Sequence, residues 1–489
     1  MITSRRNFLA GSTLALGATY LHASGIPAPP AYGAVPNARQ RRWQGMETYG
    51  FLHFGMNTFT NKEWGSGDEN PNLFHPTDFE PDQIVSSMKA GGMTGVILTC
   101  KHHDGFCLWP TKTTKHSIAY SAWRNGKGDV VRDISKAARG HGLKFGIYVS
   151  PWDRNNGAYA TPAYLPIYRE QVTELLSNYG PVFEVWFDGA NGGTGYYGGA
   201  RERRHIDAHT YYEWPRTYAI VRRLQPWAVI HGGDTDADIR WVGDEKGIAG
   251  NPCWATFSPD DSVDGGNTEQ LMHGTLHGTH WMPAECDVSI RPGWFWHASQ
   301  NAKVKTPQEL LDLYYKSVGR GASLLLNVPP NTKGQLSTED VASLKGFRKL
   351  IDSTFAENLA RKARFDASNV RGKEQRFSPA NLFDKSPYSY WSTDNTETTP
   401  ELKLEFPTPV TFDVVRMREY TGLGQRIEAF AIEARVNGTW VQIASEASVG
   451  ICRLIRLAKP VTTQWVRLRI VESPVPIALS EFGLYLSPV

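Results

Sequence analysis

Between residues 45 and 330 the chain switches repeatedly between two hydrophobic rhythms. Short runs in which almost every position is apolar occur at 94–100, 142–150, 182–188, 228–231 and 322–328. Runs of that kind, bounded by glycine or polar residues, predict strands buried on both faces. Residues 49–58 predict a further strand, and 239–242 and 280–284 predict two weaker ones. Between them, apolar residues recur at helical spacing. Ile84, Val85 and Met88 mark a helix at 82–91, and Val130, Val131, Ile134, Ala137 and Ala138 mark another at 129–141. Residues 164–178, 211–224, 306–318 and 337–358 predict further helices. Strands alternating with helices imply a parallel sheet covered by helices, and about eight such strands suggest a (β/α)8-like, TIM-type barrel.

After residue 363 the rhythm changes to period two. Short alternating runs at 402–406, 411–419, 429–436, 440–444, 452–457 and 465–471 are bounded by Pro and Gly. They predict an all-β, antiparallel sandwich. The division is therefore a barrel over 36–360 and a sandwich over 361–489.

The first residues follow neither rhythm. Arg5-Arg6 precede Asn7-Phe8-Leu9 and a weak apolar stretch from Gly11 to Leu21, and a Pro/Ala-rich spacer reaches residue 35. That order predicts a twin-arginine export signal and a periplasmic or secreted bacterial protein. The apolar stretch is too short and too weak to span a membrane. Net charge is +3, from 52 basic and 49 acidic residues with the signs interspersed, so no basic stripe for nucleic acid exists. The five cysteines lack metal-ligand or disulfide spacing and read as buried thiols. Sixteen Trp, 20 Tyr and 21 Phe supply large core side chains, and equally supply faces that stack on sugar rings. No feature of the chain specifies an oligomeric state.

The chemistry-bearing residues gather at or just after predicted strand ends, the functional end of a parallel barrel. The run Phe183-Glu184-Val185-Trp186-Phe187-Asp188-Gly189 is an apolar strand ending on a carboxylate and a turn. Others are His53-Phe54-Gly55, Glu63-Trp64-Gly65, Lys101-His102-His103-Asp104, Tyr148, Arg240-Trp241-Val242-Gly243-Asp244-Glu245, Glu285 and Trp294. Two carboxylates with aromatic and histidine neighbours suit glycoside hydrolysis. A metal site built on His102-His103 with Asp104 and Asp188 is the rival, but no H-x-H or H-E-x-x-H spacing occurs. The expectation is no metal and no cofactor in the barrel. Glu245 and Glu285 compete as the acid.

These motifs resemble the α-L-fucosidases of glycoside hydrolase family 29. Trp241-Val242-Gly243-Asp244-Glu245 and residues 283–294 are similar to its α-1,3/1,4-specific branch. The resemblance implies a retaining exo-glycosidase that removes terminal L-fucose from oligosaccharides through a covalent fucosyl-enzyme. It implies Asp188 as nucleophile and Glu245 as acid/base. It implies a fucose pocket of His53, Glu63, Trp64, His102, His103, Tyr148, Trp186 and Trp294, with Arg240 as a further contact. Position 244 is Asp where the branch carries Asn, and the stretch 194–209 is longer and more charged than the family pattern. The C-terminal unit resembles the discoidin-like, or galactose-binding-like, sandwich. Such modules bind sugars, and some hold a structural calcium ion. A fucosylated-glycan-binding protein without catalysis is the alternative function.

Overall fold

The computed structural model describes residues 25–233, 235–259 and 268–488, so the export signal expected in residues 1–24 lies outside the described residues. Eight parallel strands form one sheet. They are β1 (Thr48–Leu52), β2 (Gly95–Lys101), β3 (Lys144–Val149), β4 (Glu184–Trp186), β5 (Val229–His231), β6 (Arg240–Trp241), β7 (Ala284–Ser289) and β8 (Ser323–Asn327). Their order is β5-β4-β3-β2-β1-β8-β7-β6, and a parallel bridge between His231 and Ile239 brings the two edges together. The result is a near-closed (β/α)8-type barrel.

Side-chain alternation along the strands divides the core in two. Tyr49, Phe51, Ile97, Tyr148, Trp186, Val229, Ile239 and Leu325 point inward and pack together with Trp43 and Met46. Leu52, Val96, Leu98, Ile147, Val185, Ile230, Leu324 and Leu326 point outward, against the helices. Those helices are Pro81–Ala90, Val130–Gly140, Tyr164–Asn178, Trp214–Leu224, Pro307–Lys316 and Thr338–Thr354. Their starts are set locally. The Asp129 side chain accepts from Arg132 N at 2.9 Å, and Thr306 and Glu309 form a reciprocal capping box before Pro307.

Three expectations differ from the structure. The strand expected at 49–58 ends at Leu52, and Met56–Thr60 is helical. Asn327 Oδ1 accepts the His53 N–H at 3.2 Å, which draws the chain out of the sheet there. The strand expected at 280–284 is Ala284–Ser289, while His280–Trp281 pairs antiparallel with Thr256–Phe257 outside the barrel. Two buried carboxylates in Ala-Glu-Cys-Asp-Val-Ser hide that strand from an apolar count. Among the described residues no helix separates β5 from β6.

The C-terminal unit is a seven-stranded antiparallel sheet. Residues 402–406 and 411–419 are one long strand, Glu401–Glu419, whose register shifts between Glu405 and Val410. Residues 452–457 and 465–471 likewise join in Arg453–Glu472, which pairs with it. Its core holds Trp391, Leu402, Leu404, Phe412, Phe430, Leu468 and Phe482. Val414, Cys452, Leu454 and Tyr485 instead join the barrel's outer core. Arg418 and Glu47 form an ion pair at 2.5 Å across the same junction. The Pro/Ala-rich segment is no free spacer. Tyr32 N donates to Leu423 O at 2.9 Å and Arg371 Nε to Pro27 O at 2.7 Å, which lays the segment along the sandwich. All five cysteines are buried and free. No helix among the described residues is long and apolar enough to cross a membrane.

Candidate active site

A cavity of about 480 Å3 opens at the C-terminal ends of the strands. His53, Glu63, Trp64, His102, His103, Tyr148, Trp186, Asp188, Arg240, Glu245 and Trp294 all border it, together with Phe51, His231 and Asp287. Residues scattered over 240 positions of sequence thus meet because each follows a barrel strand or lies near its end.

Asp188 stands just past β4. Tyr148 OH donates to its Oδ2 at 2.9 Å and Ala190 N to its Oδ1 at 2.6 Å. His103 Nε2 lies 3.8 Å from Oδ1. The carboxylate is therefore held in one orientation by β3 and by its own turn, with its side chain 20% exposed to the cavity.

Each neighbouring histidine is pinned through one ring nitrogen. His53 Nδ1 is 2.9 Å from Asn327 Oδ1, His102 Nδ1 is 3.3 Å from Asn57 Nδ2, and His103 Nδ1 is 2.8 Å from Ser150 Oγ. The second nitrogen of His103 lies toward Asp188, and no hydrogen bond is found for the second nitrogen of His53 or His102 among the described residues. Burial pushes the His53 pKa down to about 3. It also pushes His102 well down, reinforced by His103 and His53, and lowers His103 against the opposing pull of Asp188. A neutral imidazole can donate or accept, which matches a sugar hydroxyl that does both.

The aromatic wall is layered. Trp186 stacks on His231 at 4.1 Å and 8° and on Tyr148 at 5.3 Å and 24°. Phe51 packs at 5.6 Å from Trp186 and 6.2 Å from Trp294. Trp64 is 54% exposed at the mouth, edge-on to His103 and Trp152. A hairpin pairing Gly193–Gly195 with Glu202–Arg204 occupies the long stretch after Asp188. Arg154 fastens it to the rim by donating to Thr194 O at 2.7 Å and to Gly65 O.

The two competing glutamates part company. Glu245 is exposed in the loop after β6 and accepts from Trp294 Nε1 at 3.0 Å. Glu285 is 0% exposed inside the barrel, beneath the cavity. Its Oε1 accepts from Trp186 Nε1 at 2.8 Å and its Oε2 from Tyr49 OH. Burial raises the pKa of Glu285 and of its neighbour Glu184. Glu285 is not among the residues that line the cavity. Asp244 is occupied by its own turn, accepting from Lys246 N at 3.0 Å.

Two expected sugar contacts are engaged by the scaffold. Arg240 borders the cavity, but its guanidinium donates to Leu271 O and Trp254 O at 2.9 Å each and to Met282 O. Through these bonds it braces the loops around β6. Glu63 receives donors from the Trp294 loop as well as facing the cavity. Sequence reasoning missed Phe51 and His231 as cavity residues and Asn327 as the partner of His53. An amide closing the otherwise apolar run Ser-Leu-Leu-Leu-Asn was the available signal for Asn327. Asp287 lies within β7, where its Oδ1 accepts from Trp241 Nε1 at 2.8 Å.

A parallel barrel with a held carboxylate, neutral imidazoles and stacked aromatics at its C-terminal face has the make-up of a glycoside hydrolase. The comparisons give the family. The alpha-L-fucosidase family model matches residues 25–352, and an F5/8 type C domain model matches residues 364–482. The chain is 41% identical to Alpha-L-fucosidase 1 of Arabidopsis thaliana, over 94% of this chain and 89% of that protein. A solved putative α-L-fucosidase from Bacteroides thetaiotaomicron superposes with TM-score 0.87 at 38% identity, covering 94% of this chain and 99% of that one. A Ruminococcus gnavus GH29 fucosidase solved in complex with fucose superposes with TM-score 0.86 at 31% identity, covering 95% and 97%. The chain belongs to the α-L-fucosidases of glycoside hydrolase family 29, and it is a glycoside hydrolase.

Proposed function

We propose that the protein is a retaining exo-α-L-fucosidase acting on terminal α-1,3/1,4-linked L-fucose, with Asp188 as nucleophile and Glu245 as acid/base. One observation carries this reading: Asp188 is oriented by Tyr148 and the Ala190 N–H beside three histidines, and Glu245 enters the same cavity. In the first step Asp188 attacks the anomeric carbon while Glu245 gives its proton to the leaving oxygen. In the second, Glu245 takes a proton from water, which attacks the same carbon and releases fucose. His53, His102, His103 and Glu63 suit the hydroxyls. Phe51, Tyr148, Trp186 and Trp294 suit the 6-methyl corner of this deoxy sugar. Trp64 and the rim hairpin flank the space for the rest of the glycan, and a galactose beside the fucose is the branch-like partner.

No metal takes part in this reading. In the sandwich, the recess bounded by Asn369, Glu374 and Asp394 offers a cation little. Asp394 accepts from Gly372 N at 2.8 Å and Asn369 Nδ2 at 3.0 Å, and Glu374 from Ile26 N at 2.5 Å. A structural calcium does not fit carboxylates already turned to N–H donors. The Arg5-Arg6 run supports export by the twin-arginine route, and retention of an Arg5→Lys, Arg6→Lys variant in the cytoplasm tests it.

The testing experiment digests a panel of Lewis-type and H-type oligosaccharides and follows the products by proton NMR. Release of fucose from α-1,3/1,4 linkages, with the α-anomer formed first, is the expected result. A β-anomer formed first refutes retention. Binding without release from any glycan returns the function to the non-catalytic alternative.

A further inference from the structure

A chain of hydrogen bonds in the cavity wall joins Asn61 and His297, which have no part in the reaction as described above, to Glu245. It starts at Asn61, whose Oδ1 lies 2.6 Å from His297 Nδ1. The other nitrogen of that ring, Nε2, lies 2.6 Å from Glu63 Oε1. Glu63 Oε2 accepts from the backbone N–H groups of Trp294 at 2.8 Å and Phe295 at 3.3 Å. The Trp294 indole then donates to Glu245 Oε2 at 3.0 Å. A loop after β1 is thereby linked to the side chain after β6 through the loop after β7.

Packing supports the same connection. A Cβ on Gly293 would stand 2.3 Å from Glu63 Oε1, so the loop lies directly over that carboxylate. From the other side Asn327 Nδ2 donates to Trp294 O at 2.8 Å and Ser289 Oγ to Gly293 O at 2.7 Å. Trp294 is thus fixed at its backbone by β7, β8 and Glu63. Glu245 by contrast sits exposed in a loop, where an untethered Glu side chain loses rotamer freedom when it is ordered.

We propose that His297 and Glu63, acting through Trp294, form a positioning chain that orients the general acid Glu245. His297 holds Glu63, Glu63 holds the Trp294 backbone, and the Trp294 indole holds Glu245 by Oε2. That leaves Oε1 to carry the proton. When the bond from the anomeric carbon to the leaving oxygen breaks and the bond to Asp188 forms, the Oε1 proton passes to the leaving oxygen. The indole N–H stays on Oε2 while negative charge develops on the carboxylate. Because Glu63 also borders the cavity, a sugar hydroxyl that engages it acts on the group that places the acid. The inference rests on Glu245 being the acid.

The test compares two leaving groups in the full-length enzyme: a fucosylated trisaccharide, which needs a proton, and fucosyl fluoride, which departs without one. The variants are His297→Leu, His297→Gln, Trp294→Phe and Glu245→Ala. In His297→Leu and Trp294→Phe, kcat/KM for the trisaccharide falls relative to that for the fluoride by at least about tenfold, within the 10²–10⁴-fold range of general acid catalysis. The fall lies in kcat. His297→Gln keeps an N–H toward Glu63 and restores the ratio to within about threefold of wild type. Equal losses on both substrates, or losses in KM alone, would make these residues a plain sugar-binding wall and overturn the proposal. If Glu245→Ala discriminates between the substrates and the other variants do not, only the positioning chain falls. If Glu245→Ala itself does not discriminate, the acid assignment falls and the chain with it.

Discussion

Asp188 is surrounded by imidazoles kept neutral by burial, and that state has consequences for stability as well as binding. His231 lies flat under Trp186, and burial takes its pKa from 6.5 to about 3. The unfolded chain binds that proton near 6.5, so between these values the unfolded state holds more protons and stability falls as pH falls. Between about pH 6 and pH 4 the wild type should lose about 1.4 kcal/mol more per pH unit than His231→Phe. Denaturant midpoints measured against pH check this, and parallel curves would show that His231 titrates alike folded and unfolded. Glu245 gives a second residue-level prediction. Glu245→Ala should cut trisaccharide turnover by about 10²–10⁴-fold. Added azide should partly restore activity on an activated fucoside, since it attacks the fucosyl-enzyme without needing a base. If Glu285→Ala shows that rescue and Glu245→Ala does not, the roles are exchanged.

At the scale of elements, the site depends on how the strand ends are turned. Gly232 follows His231 in the short β5–β6 connection at φ +74°, and a Cβ there would stand 2.0 Å from Phe187 O. Gly232→Ala should therefore cost at least about 2 kcal/mol in unfolding free energy. It should also lower kcat, because Phe187 precedes Asp188; a thermal melt and a progress curve on one preparation test both effects. Strands β2, β3, β4, β5 and β8 were legible because burial on both faces makes them continuous apolar runs. Strand β7 was not, because its Glu285 and Asp287 are buried polar groups satisfied by Tyr49, Trp186 and Trp241. Those partners come from β1, β4 and β6, and no local pattern announces them. The end of β1 was overrun for a similar reason, since Asn327 of β8 bends the chain at His53. Residues 478–485 escaped notice as a strand, although Ala478–Tyr485 pairs with Glu401–Glu419. The candidate cavity residues were legible by type and by place at strand ends. The Arg240 bonds to distant carbonyls were not, because they depend on where residues 254, 271 and 282 come to lie.

At the scale of the molecule, barrel and sandwich share a core. Tyr485 packs on Phe355 at 5.0 Å, and Leu454 and Cys452 lie in one cluster with Leu313, Tyr314 and Val318. Glu47, just before β1, takes the Arg418 ion pair at 2.5 Å and the Tyr314 hydroxyl at 3.1 Å. Ending the chain at residue 360 would expose that apolar face and strip Glu47 of its cation. The truncated barrel should aggregate or melt well below the intact protein, as light scattering and calorimetry would show. A soluble, fully active 25–360 fragment would mean that the sandwich serves the glycan and not the barrel. Whether the barrel holds Asp188 as a nucleophile for fucose is read out by covalent trapping. The enzyme is incubated with 2-deoxy-2-fluoro-L-fucosyl fluoride, digested, and its peptides are weighed and sequenced by mass spectrometry. Asp188 as nucleophile predicts one fluorofucosyl adduct, carried on Asp188 and absent from Asp188→Ala. An adduct on another carboxylate, or none while the reagent is consumed, would contradict it.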